Sequence, residues 1–136
     1  MRTKELINLF SVVILSLISL TYIHEIGHAF FAKLNGCETK SLIFDNGLTS
    51  YTLVACEKNN DILIILGGLI FTLVFSLVFL TFGKEFYILS LSISFLLALE
   101  DLSLFVNTYY IIIFSSILSF FGYLRFFENV NKKKYK

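Results

Sequence analysis

The chain has 136 residues, of which 57% are hydrophobic and 15% charged, with no proline, no tryptophan and a formal net charge of +1. Soluble domains carry about 25% charged residues, so the apolar excess points to lipid as the solvent. The small net charge excludes the general basic field that nucleic-acid binding needs. The length permits a single domain.

Arg2 and Lys4 precede an apolar run, and residues 6–23 contain no ionisable group. The run is longer than the roughly 7–15 residues of a signal-peptide core, and no A-x-A-like cleavage site follows it. It reads as a membrane span over about 6–32. Residues 33–61 form the one sizeable polar region. Within it, Asn46-Gly47 lies between β-prone segments, a strong short-range hairpin signal. A hairpin over about 39–55 with Asn46-Gly47 at its tip pairs Asp45 with Leu48. Paired residue numbers then sum to 93, which sets Cys37 opposite Cys56 at the base. Two readings stay open for that pair: free thiols near a membrane surface, or a disulfide formed in an oxidising compartment.

Residues 62–82 are again free of ionisable groups, and residues 86–124 contain only Glu100 and Asp101. A span needs roughly 20 apolar residues, so the second stretch accommodates two, over about 86–106 and 108–126. Lys132, Lys133, Lys134 and Lys136 read as a solvated end. The expected fold is an all-α, multi-pass integral membrane protein. It has about four transmembrane helices in a single domain, with a small β-hairpin between helices 1 and 2.

The sequence His24-Glu25-Ile26-Gly27-His28 lies inside the first span. Residues four apart share a helix face, so both imidazoles can reach one ion. Zinc takes neutral imidazole nitrogens. Glu25, beside the first ligand, can then serve as general base toward water. These are the only two histidines in the chain. Ionisable groups inside a membrane helix persist where they pair or line a wet cavity. The bland alternative is a polar cluster that only hydrogen-bonds neighbouring helices.

A catalytic zinc site needs a third protein ligand and an open position. The cysteines fall in the hairpin, which leaves Asp101 and Glu100. The histidines lie roughly 7–13 Å from the end of their helix, and Asp101 roughly 9 Å from the turn before residue 108, at 1.5 Å per residue. With alternating spans, both ends are on one side and the two groups meet at one depth. Adjacent helical residues point about 100° apart, so one acid ligates. Asp101 is favoured, with Glu100 as the alternative.

His24-Glu25-Ile26-Gly27-His28-Ala29 in a membrane helix resembles the site-2 protease family of intramembrane metalloproteases. So does the order of parts: motif helix, hairpin, a helix with Gly67-Gly68, then a helix bearing an acid. The resemblance covers roughly 20–106. It implies a three-helix catalytic core cleaving membrane-spanning or membrane-adjacent protein or peptide substrates. His24, His28 and Asp101 would be zinc ligands and Glu25 the base. The chain departs from the family at Glu100-Asp101-Leu102, where Asp-Gly is common, and at Thr72, where Asn is common. No PDZ or other soluble partner module accompanies the core.

The eight cations Arg2, Lys4, Lys84, Arg125, Lys132, Lys133, Lys134 and Lys136 fall on the side of the termini, against Lys33, Lys40 and Lys58 on the hairpin side. The positive-inside rule places the termini in the cytoplasm. The resemblance implies the opposite, with zinc nearer the cytosol. Two other functions compete with proteolysis. One is a metal-binding membrane transporter or sensor, since intramembrane acids and histidines also mark ion pathways. The other is a catalytically inactive relative that binds membrane helices. Haem is excluded, because two histidines on one helix face cannot sandwich a porphyrin.

Overall fold

The computed structural model describes residues 3–45, 49–56 and 62–134. It is mostly helical. Helix α1 (Thr3–Leu34) is followed by strands β1 (Glu38–Asp45) and β2 (Thr49–Ala55), then by α2 (Ile62–Ser76). A 3-10 segment (Leu77–Thr81) extends α2, and α3 (Lys84–Leu97), α4 (Leu99–Ser103) and α5 (Thr108–Lys134) complete the chain. Among the described residues, three stretches are long and apolar enough to cross a membrane: Leu6–Leu34, Ile62–Thr81 and Thr108–Lys132.

The expected third span over 86–106 is not one helix. It is interrupted at Ala98 (φ −84°, ψ 16°), which is fully buried, leaving α3 with 14 residues and α4 with 5. The Leu102 N–H still donates to the Ala98 carbonyl at 2.9 Å, so α4 follows directly. Helix α5 continues through Lys134, and its residues 131 and 132 are exposed.

Helix α1 packs chiefly on α2, and α3 chiefly on α5, while α3 also touches α1 and α2. The interior is an inversion of the soluble pattern. Large side chains such as Ile7, Phe10, Ile14, Phe120 and Tyr109 are exposed, whereas Thr72, Ser76, Ser90, Ser92, Ser94 and Ser115 are buried. Lipid gives apolar side chains no reason to turn inward. Small residues bring helices close and hydroxyls bridge them. On α3, Ser94 meets Ser76 of α2 (Oγ–Oγ 3.1 Å), while Ser92 donates to the Ser115 carbonyl of α5 (2.8 Å) and lies 2.6 Å from the Ser119 hydroxyl. Away from these contacts, Leu9, Leu20, Phe79, Phe86 and Phe126 form an apolar cluster.

Helix α1 ends because Gly36 takes φ +73°. Its N–H reaches the Lys33 carbonyl, and the Cys37 N–H reaches the Ala32 carbonyl, both at 3.0 Å. This pair of bonds satisfies carbonyls that the last turn leaves open and turns the chain into β1. The hairpin is antiparallel and lies on α1. Its register follows the sum of 93 from Glu38↔Ala55 to Leu42↔Tyr51, then shifts, so that Asp45 faces Thr49 rather than Leu48. The shift adds a residue to the connection, as a bulge does. The expected Asn46-Gly47 tip lies outside the described residues. Cys37 and Cys56 form a disulfide, which closes the choice left open by the sequence.

A candidate metal centre in the helix bundle

Helix α1 presents His24 and His28 on one face, and the Ala98 interruption lets α4 present Asp101 toward them. His24 Nε2 and His28 Nε2 lie 3.1 Å apart. Asp101 Oδ2 lies 3.3 Å from each. Three donor atoms thus form a nearly equilateral triangle, two from α1 and one from α4. The atom Asp101 Oδ2 is buried and makes no hydrogen bond. A buried carboxylate oxygen without a hydrogen-bond donor is costly, and a shared cation would satisfy it.

The dimensions fit zinc. Nitrogen and oxygen ligands lie about 2.0–2.2 Å from a tetrahedral zinc, which sets ligand atoms about 3.3–3.6 Å apart. The triangle is within a few tenths of an ångström of that face. Three protein ligands would leave the fourth position of such an ion for water or substrate.

Protonation is decided by the surroundings of His28. Its Nδ1 lies 2.7 Å from the Ile64 carbonyl in the first turn of α2. A carbonyl only accepts, so Nδ1 carries a hydrogen, and in the neutral ring Nε2 then presents its lone pair to the triangle. Such an outer partner orients a metal-binding imidazole. His24 differs, since its Nδ1 is buried with no hydrogen-bond partner.

Gly67 and Gly68 make the site possible. A Cβ on Gly27 would collide with the Gly67 carbonyl, so α1 and α2 approach backbone to backbone at this level. A Cβ on Gly68 would fall 2.5 Å from His24 Cε1 and 2.6 Å from His28 Nε2. The imidazoles occupy the volume that any other residue would fill. In the sequence this glycine pair stands out only through the family resemblance.

Glu25 is 4% exposed. Its Oε2 accepts a 2.5 Å hydrogen bond from the Thr52 hydroxyl of β2, which also lies 3.3 Å from the Glu25 main-chain oxygen. Thr52, Val54 and Cys56 are half-buried against the bundle, while Tyr51, Leu53 and Ala55 are exposed, the two-residue alternation of a strand. In the sequence Thr52 is one residue of a β-prone segment. Nothing local shows which face of the strand meets α1. Glu100, the alternative third ligand, is exposed. It is not among the grouped residues His24, His28 and Asp101.

No curated protein and no solved structure matches the chain. The Peptidase M50B-like family matches it over residues 6–135, and this extent agrees with the three apolar helices, the inserted hairpin and the His24–His28–Asp101 group. The chain therefore belongs to the Peptidase M50B-like family, within the site-2 protease family.

Proposed function

We propose that the chain is an intramembrane zinc metalloendopeptidase, hydrolysing peptide bonds of membrane-embedded or membrane-adjacent substrates. The observation that carries this reading is the triangle of His24 Nε2, His28 Nε2 and Asp101 Oδ2, with edges of 3.1, 3.3 and 3.3 Å. These three residues would hold the ion. Zinc bound there supplies Lewis-acid polarisation of the scissile carbonyl and lowers the pKa of water toward neutrality.

The remaining work falls to the chain's own groups. Glu25 takes the proton of the attacking water and passes it to the leaving amine. Its burial keeps the carboxylate out of bulk solvent. The Ile64 carbonyl holds the His28 tautomer, and Gly68 leaves room for both rings. A substrate helix must unwind first, because its amides are bonded internally. The hairpin lies on α1 next to this region, and an edge strand can pair with an extended segment.

Orientation belongs to the same reading. Eight of eleven cations lie toward the termini, which favours cytoplasmic termini and an outward-facing hairpin. The Cys37–Cys56 disulfide supports this, since disulfides persist in oxidising compartments.

The test is elemental mass spectrometry on detergent-purified protein, together with cleavage of a quenched fluorogenic single-span peptide in micelles. Wild type is expected to hold about one zinc per chain and to cleave. His28→Ala should lose both properties, and Glu25→Gln should keep the metal and lose turnover. Cleavage by Glu25→Gln at the wild-type rate refutes the mechanism. Zinc retention with no turnover in wild type favours the metal-binding, non-hydrolytic alternatives.

A further inference from the structure

We propose that Thr52 is a positioning residue for Glu25, so that the hairpin sets the geometry of the base. The kinetic consequence rests on the hydrolytic reading above, whereas the contact stands on its own geometry. At 2.5 Å, the Thr52 Oγ1–Glu25 Oε2 separation is that of a hydroxyl donating to a charged carboxylate. A hydroxyl that merely tethered the strand to α1 would be satisfied by the Glu25 main-chain oxygen, but that contact is the longer one, at 3.3 Å.

Both partners suit the role. Glutamate has three side-chain torsions and, on a helix beside two ligands, needs an outside contact to hold one orientation. Threonine is β-branched and stiff at χ1, so the strand backbone fixes the position of its hydroxyl. The strand is itself fixed by the register Ser41↔Thr52 and by the disulfide four residues further on. A slip of one residue would turn Thr52 to the opposite face and replace it with an exposed neighbour. The disulfide joins β2 to Cys37, directly beyond the end of the helix that bears Glu25. Thr52 thus lies within a covalently closed loop, 37–56, that starts three residues after the helix bearing Glu25.

The test compares Thr52→Val, which deletes the donor at nearly constant shape, with Thr52→Ser, which keeps it. The first readout needs no turnover. Protein labelled with 13C at the glutamate carboxyl carbon is examined by NMR in micelles, and the Glu25 signal is assigned by its absence in Glu25→Gln. Thr52→Val should displace that signal, and Thr52→Ser should return it. The second readout is the fluorogenic single-span peptide, with zinc content measured in parallel. Thr52→Val should keep zinc and KM while kcat falls about 10- to 100-fold, the scale set by misplacing a reacting group. Thr52→Ser should recover most of the loss.

An unmoved Glu25 signal or an unchanged kcat in Thr52→Val overturns the proposal. Equal impairment in both variants assigns the effect to packing of the methyl group and overturns it as well. A wild-type protein that lacks zinc and turnover defeats the hydrolytic reading alone, because the NMR signal still reports the contact.

Discussion

Substituting Gly68 by alanine tests whether α2 shapes the metal site by what it omits. The added Cβ would stand 2.5 Å from His24 Cε1, 2.6 Å from His24 Nδ1 and 2.6 Å from His28 Nε2, where ordinary contact begins at 3.4 Å. Relief requires a displacement of about 0.8–0.9 Å, shared between the rings and the backbone of α2. Helix α2 can supply it only by moving away from α1, which would part the close Gly27–Gly67 backbone contact that holds the two helices together. The rings must otherwise give, and metal distances tolerate only about 0.2 Å. Overpacking of this kind costs about 1–3 kcal/mol, which a folded bundle survives, while zinc affinity should fall about 100-fold, at the upper end for disturbed ligand support. The assay is zinc retention against a competing chelator, followed by elemental mass spectrometry. Exposed Thr81→Ala serves as control, and circular dichroism verifies helix content. Wild-type zinc retention by Gly68→Ala would refute the view that the glycine makes room for the imidazoles.

Three further perturbations bear on the scaffold. Gly27→Ala drives a Cβ into the Gly67 carbonyl; it should lower the melting temperature in detergent by more than an alanine at any exposed position of α1. Ser92→Ala removes the donor to Ser115 and the contact with Ser119. It should cost about 0.6–1.7 kcal/mol in detergent unfolding, the range found for hydrogen bonds between membrane helices. Paired Cys37→Ser and Cys56→Ser open a link spanning 19 residues, a constraint of about 3 kcal/mol. Limited proteolysis should then cut the hairpin region faster while leaving the bundle intact, and reductant added to wild type should have the same effect.

The motif helix was legible because its signals are local. A five-residue pattern, the only histidines in the chain and an apolar run long enough to span all lie in one segment. The hairpin register was legible from one turn dipeptide, since strand pairing propagates a single offset along the ladder. That offset holds from Glu38 to Leu42 and fails only near the tip, where a bulge redistributes one residue. Residues 86–106 read as one continuous span because hydropathy averages over the interruption at Ala98. A single residue at φ −84°, ψ 16° leaves no mark in composition.

The sequence by itself determined the solvent, the helical class with its inserted hairpin, and the facing of His24 and His28. Each follows from hydropathy or from a fixed backbone period. Tertiary structure alone decided that Asp101 rather than Glu100 turns toward the imidazoles, and that Gly68 leaves the rings their volume. It alone brought the Thr52 hydroxyl to Glu25. These three depend on the angle at which separate helices and a strand meet, and that angle is set by small residues packing backbone to backbone, which no local pattern encodes.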